Sequence, residues 1–205
     1  MDNDKLERPA VIAAAAGTGT AAIIVFAMMP VLVGGMADRY DLDDLQAGLL
    51  ATTYFSTYAL VALTSPAWIR RWNWRRVTIA GYLIMLASIG LALLAPGYAA
   101  ARLAVAASGL GAGMLFPISL TLVSDMEHTE RVYAIKLAVE QLVPAALLVL
   151  LSTGLLVASG VQATLAAILS ALLLCLLCSA AMPTAGGRHG EADTQGGGAG
   201  MGILA

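Results

Sequence analysis

Charge is scarce in this sequence of 205 residues: 11 Lys and Arg with 13 Asp and Glu make 12% of the chain, where a soluble domain carries about 25%. So little charge excludes a domain wrapped in a hydrated surface. The signs nearly cancel, at net −2, which excludes the broad basic field that draws nucleic acid. Histidine and cysteine are sparse too, two of each. His128 lies in the charged stretch SDMEHTER and His189 in a Gly-rich tail, so both read as solvated groups. Cys175 and Cys178 form a CxxC, a spacing used by redox and metal pairs. They lie inside LLLCLLCSAA with no histidine and no second pair beside them, so they read as small apolar residues of a helix. No metal and no cofactor are expected. The sequence has no HExxH, no P-loop and no nucleophile elbow, and it does not read as an enzyme.

What is abundant is apolar: 60% of the residues are hydrophobic. One soluble core cannot bury that much apolar surface in a chain of this length, so the solvent for most of it must be lipid. A spanning helix needs about 20 mostly apolar residues. Candidate spans run from about Ala10 to Met36, Leu45 to Ile69, Val77 to Leu94, Leu103 to Val123, Val132 to Val157 and Val161 to Met182. The first apolar run is too long for a signal peptide, and MDNDKLERP is not a positive leader. The expected organisation is a short cytoplasmic N-terminus (1–9), a six-span all-α membrane bundle (10–182) and a flexible Gly-rich cytoplasmic tail (183–205).

Arginine and lysine predict the orientation. With both termini inside, Lys5, Arg8, Arg70, Arg71, Arg75, Arg76, Arg131, Lys136 and Arg188 lie on or near the cytoplasmic side, and Arg39 and Arg102 lie outside. That excess reads as N-in and C-in, in a multi-pass protein of the cell membrane, such as a cell inner membrane. Trp68, Trp72 and Trp74 flank the four-arginine loop, where indoles favour the interface.

The chain also repeats itself. MMPVLVGGMAD in the first span and LFPISLTLVSD in the fourth both place Asp eight residues after Pro. Pro117 minus Pro30, like Asp125 minus Asp38, gives an offset of 87. The same offset carries the second span onto the fifth and the third onto the sixth. Three spans are an odd number, so the halves run oppositely through the membrane. Inverted repeats of this kind build secondary transporters, with the site near the midplane.

Glu140 stands out inside LAVEQLVPAAL. It lies nine residues past Arg131, about 13 Å along a helix and near the middle of a core of about 30 Å. A carboxylate there is costly and calls for a partner, water or a task. One reading is a proton-titrating or cation-binding group in a wet cleft. The other is structural pairing with Lys136, one turn earlier, unless Lys136 snorkels to the cytoplasmic surface. Tyr133, Lys136, Glu140 and Pro144 share one helical stripe, with Gln141 beside it. The repeat matches Thr53 and Tyr54 to Glu140 and Gln141, which outlines a cleft of Thr53, Tyr54, Thr57, Glu140 and Gln141 for a substrate or ion. For the threonines, hydrogen bonds between helices or to their own backbone are the competing reading. Gly17, Gly19 and the GxxxG of Gly109 and Gly113 read as close-packing sites.

Several stretches resemble the major facilitator superfamily. DLDDLQAGLLATTYFSTYAL resembles the outer loop and second span of that family, and SPAWIRRWNWRRVTIAG its loop between spans two and three. Arg70, Arg71, Arg75 and Arg76 keep the basic character of that gating loop, while Pro66, Arg70 and Asn73 stand where the family has Gly, Asp and Gly. ARLAVAASGLGAGMLFPISLTLVSD resembles the fourth span, with Gly109, Gly111 and Gly113 in the glycine run. The family arginine falls at Val105, so Arg102, one turn earlier, is carried over as its nearest counterpart.

The resemblance implies half of a twelve-helix fold: six transmembrane helices as a 3+3 inverted repeat, needing a homodimeric copy or a second six-helix half. It implies a secondary transporter, symporter or antiporter, moving a small-molecule substrate through the lipid bilayer by alternating access, with proton coupling expected. The alternative is a non-transporting membrane subunit or an inactive truncated half-transporter.

Overall fold

The computed structural model describes residues 8–152 and 160–185. Among them, six helices are long and apolar enough to cross a membrane: α1 (Pro9–Tyr40), α2 (Asp44–Trp68), α3 (Trp74–Leu94), α4 (Tyr98–Ser124), α5 (Thr129–Ser152) and α6 (Gly160–Cys178), the last followed by a 3-10 turn over Ser179–Ala181. Helices are what lipid permits, because every backbone N–H and C=O is satisfied within the segment.

The helices begin earlier than the apolar runs predict, because the caps are polar and lie upstream. Asn73 accepts a 3.1 Å hydrogen bond from the Arg76 amide and starts α3 at Trp74 rather than Val77. Asp43 and Gln46 form a reciprocal capping box that starts α2, the Gln46 amide donating to Asp43 at 2.7 Å. Pro9 occupies the first turn of α1, where its missing N–H costs nothing. α1 also runs past its predicted end at Met36 to Tyr40 and stops at Asp41, which takes a left-handed φ of 51°. Greasiness ends where water begins, but a helix ends only where the backbone turns away. The predicted end of the fifth span falls among residues 153–159, outside the described residues, as do residues 1–7 and the tail from 186 on.

The two triplets of helices pack as the offset of 87 demands. Adding 87 to the bounds of α2, 44 and 68, gives 131 and 155, against an observed 129–152; adding it to those of α3, 74 and 94, gives 161 and 181, against 160–178. α2 packs on α4 as α5 packs on α1, and α3 packs on α4 as α6 packs on α1. α1 meets α4, and α3 meets α6, across the centre. This is a 3+3 inverted repeat with α1 and α4 at its heart. In their most apolar stretches 50% and 61% of α1 and α4 residues are buried, against 11% and 17% for α2 and α5. So α2 and α5 present most of their surface outward.

A second apolar cluster closes one end of the bundle. It joins Val11 at the start of α1, Ile69 after α2, Trp74 at the start of α3, Val123 at the end of α4, Val132 early in α5 and Met182 beyond α6. Alternating starts and ends at one face are what six up-and-down spans produce. The Trp74 amide donates to the Thr184 carbonyl at 3.0 Å, which ties the chain leaving α6 to the start of α3.

Glycine sets the helix spacing where the two triplets meet. A Cβ on Gly113 would stand 2.7 Å from the Tyr58 carbonyl and 2.9 Å from Val61 Cβ; one on Gly109 would stand 2.5 Å from the Tyr54 carbonyl. α4 therefore rests directly on the backbone of α2. Backbone cannot step aside as a side-chain end can, so Gly113→Ala is expected to lose about 1–3 kcal/mol. Unfolding in detergent measures this, and an unchanged midpoint would mean the helices are not in contact there.

Candidate functional site

The sequence-predicted residues fall into three places. The first lies between α2 and α4. Thr53 donates to the Leu49 carbonyl at 2.6 Å and accepts from Arg102 Nε at 3.1 Å. Thr57 has one proton and three carbonyls in reach: Ala106 across the helix gap at 2.9 Å, and Tyr54 and Thr53 in its own helix at 2.9 and 3.1 Å. Tyr54 is fully buried and stacks on Tyr58 at 6.2 Å. Both threonines thus make the backbone and interhelical bonds that competed with a ligand role, and Arg102 is held by a hydroxyl rather than by a carboxylate.

The second place lies between α5 and α1. Lys136 and Glu140 form an ion pair one helical turn apart, both at 0% exposure. Apart from each other, neither Lys136 Nζ nor either Glu140 oxygen meets a hydrogen-bonding group among the described residues. Of the two readings of Lys136, pairing with Glu140 and snorkelling to the surface, the structure has the first. Its ammonium turns inward, 5.7 Å from the centre of the Phe116 ring and 5.8 Å from that of Tyr133, within cation–π range. Gly19 of α1 makes the room: a Cβ there would collide with Glu140 Oε1 and stand 2.8 Å from Cδ and 3.0 Å from Lys136 Cε. Tyr58 of α2 meets the same Phe116 ring, 6.0 Å between ring centres.

Glu140 lies eleven residues into the 24 residues of α5, about 16 Å along it and close to its middle. Gln141 does not join it. One residue is about 100° of helix turn, and Gln141 is exposed. The predicted cleft is thus two polar clusters, one where α2 meets α4 and one where α5 meets α1, with Tyr54 and Tyr58 between them and Gln141 outside.

The third place is the four-arginine loop. Arg70 reaches Asp125 at the end of α4 with two parallel bonds, Nη1 to Oδ2 at 2.7 Å and Nη2 to Oδ1 at 2.9 Å. The fork matches carboxylate geometry, and the hydrogen-bonded Asp125 carboxylate holds the Arg70 guanidinium above its ordinary pKa. Arg70 also lies 5.8 Å over the Trp74 ring, whose indole N–H donates to the Ile69 carbonyl at 2.6 Å. Arg71, Arg75 and Arg76 are exposed. So the loop carries a carboxylate–arginine clamp although an acidic residue is missing from its own sequence. Asp125 supplies the charge from the other triplet, while Asp38, its repeat mate, is exposed.

Two participants escaped the sequence reading. Gly19 was seen as a packing glycine but not as the cradle of Glu140, and Asp125 as a repeat marker but not as the partner of Arg70. Among the described residues no three His, Cys, Asp or Glu side chains gather as a metal would require.

Six apolar helices in inverted triplets, with charges buried at mid-depth, define a membrane transport protein. The sequence profile of the Major Facilitator Superfamily matches residues 14–200. The chain belongs to that superfamily of membrane transporters. A search of the curated proteins returns no match.

Proposed function

We propose that this chain is the cytoplasmic-termini-inward unit of a proton-coupled secondary transporter. It moves a small solute by rocking against a second six-helix bundle. The observation that carries this reading is the Lys136–Glu140 pair, fully buried at mid-helix and with no further hydrogen-bond partner among the described residues. Two charges in hydrocarbon are expensive to keep and add little net stability over apolar residues of the same size. A pair that adds so little is retained for a task, and at this depth the tasks open to it are proton relay and ion binding.

A proton arriving on Glu140 would release Lys136 as an unpaired cation, which would favour a different packing of α5 on α1. That is a two-state element of the kind alternating access needs. Among the described residues, Lys136 and Tyr133 on α5 and, beyond Phe116 of α4, Tyr58 on α2 stand around the pair; α1 offers Gly19. The outward surfaces of α2 and α5 supply the face for the second bundle. The Arg70–Asp125 clamp, beside the apolar cluster at the bundle end, fits a rigid cytoplasmic rim that turns as one body.

The test is uptake into vesicles across a panel of sugars, organic cations and metabolites, with and without a pH gradient. Glu140→Gln is expected to abolish gradient-driven accumulation while leaving counterflow exchange of the transported compound. A Glu140→Gln protein that still accumulates solute with unchanged pH dependence removes Glu140 from the mechanism.

A further inference from the structure

We infer that the cleft between α1, α5 and α6 is a binding site for one acyl chain of an anionic phospholipid, with its headgroup held by Arg8 and Arg131. The cleft has a volume of about 450 Å³ and is open to the side. Its walls are Ile12 and Ala13 of α1, Ile135 and Val139 of α5, and Leu174 of α6. Along α1 it runs from Pro9 to Thr20, eleven residues or about 16 Å. That is close to half of a hydrocarbon core of about 30 Å, the depth reached by the chains of one leaflet.

Two arginines and one carboxylate, Glu130, stand by sequence at one end of the cleft. Arg8 immediately precedes Pro9, and Arg131 lies one turn before Ile135; both are exposed. The starts of α1 and α5 lie at the same end of the bundle. An apolar trough of one leaflet's length with an exposed arginine at the start of two of its walls matches a phosphodiester on a hydrocarbon chain, and guanidinium binds phosphate bidentately. Basic clefts between spans on the cytoplasmic side take anionic headgroups by this chemistry. The leaflet assigned here rests on the inward termini proposed above; the site itself does not depend on transport. α1 and α5 are also the helices that hold the Lys136–Glu140 pair, so a chain wedged between them bears on how that pair is packed.

The full chain, purified in mild detergent with equal phosphatidylglycerol and phosphatidylcholine, is to be examined by native mass spectrometry. One retained phosphatidylglycerol, in preference to phosphatidylcholine, is expected. Replacing the arginines, Arg8→Gln and Arg131→Gln, should weaken that retention about five-fold for each charge removed. Ala13→Phe, which fills the trough from a lipid-facing position, should expel both lipids. Circular dichroism checks the fold of each variant, and the two surface arginines keep the test decisive if Ala13→Phe does not fold. Equal retention of the two lipids, or full phosphatidylglycerol retention in the Arg8→Gln/Arg131→Gln protein, overturns the proposal. Retention of neither lipid overturns it as well. A lipid result of either kind leaves the Glu140→Gln uptake result standing on its own.

Discussion

Lys136→Met is expected to lose about 3–5 kcal/mol of stability, because it leaves Glu140 buried without a counter-charge. Both residues are at 0% exposure, and among the described residues no second hydrogen-bond partner stands in reach to take over. The double variant Lys136→Met/Glu140→Met should recover most of that loss. It returns the site to apolar packing at similar volume, and such replacements of buried pairs are often neutral or stabilising. Unfolding of the four proteins in one detergent, as a double-mutant cycle, measures the coupling. Near-additive losses would mean that the two groups do not interact in the folded protein.

The same cycle separates structure from transport. If the pair serves packing alone, Lys136→Met/Glu140→Met transports as it folds. If Glu140 carries protons, the double variant is stable and does not accumulate solute. That comparison also addresses the non-transporting alternative: a subunit that never moves solute shows the stability coupling and no uptake in any of the four proteins.

The sequence made the spans legible because an apolar run of bilayer length has few other uses. The repeat was legible because Pro30 and Pro117 stand at matched distances from Asp38 and Asp125, and the observed pairing of α2 with α4 and α5 with α1 follows from it. Glu140 was legible as a lone carboxylate in grease. Its surroundings were not. A helical sequence states which residues share a stripe, but not which neighbour that stripe meets, and nothing in it placed Gly19 against Glu140. The fate of Lys136 turned on the same gap: a lysine near a helix end snorkels if it faces lipid and pairs if it faces the bundle, and α5 faces it inward. Gln141 shows the opposite failure. It was grouped with Glu140 by adjacency, yet one residue of helix rotation leaves it exposed. Arg70 and Asp125, 55 residues apart, meet because α4 returns to the end where α2 finished, a fact of topology rather than of local pattern.

Gly19 provides the sharpest check on that arrangement. Gly19→Ala adds one methyl group, with little effect on an isolated helix beyond a gain in propensity. Here the methyl would occupy the space of Glu140 Oε1 and press on Lys136 Cε. Glu140 is fully buried between α1 and α5, so room is made by shifting its carboxylate, and the pair with it, or by moving α1. Such overpacking should cost about 1–3 kcal/mol. The cost should be conditional. With Glu140→Ala already in place the new methyl meets an open space, and Gly19→Ala should then be close to neutral, a coupling within the range of about 0.5–3 kcal/mol typical of residues in contact. Unfolding midpoints of Gly19→Ala in the two backgrounds give the answer. The same large loss in both would place the obstruction on the backbone of α5 instead, and the carboxylate would then not be what α1 makes room for.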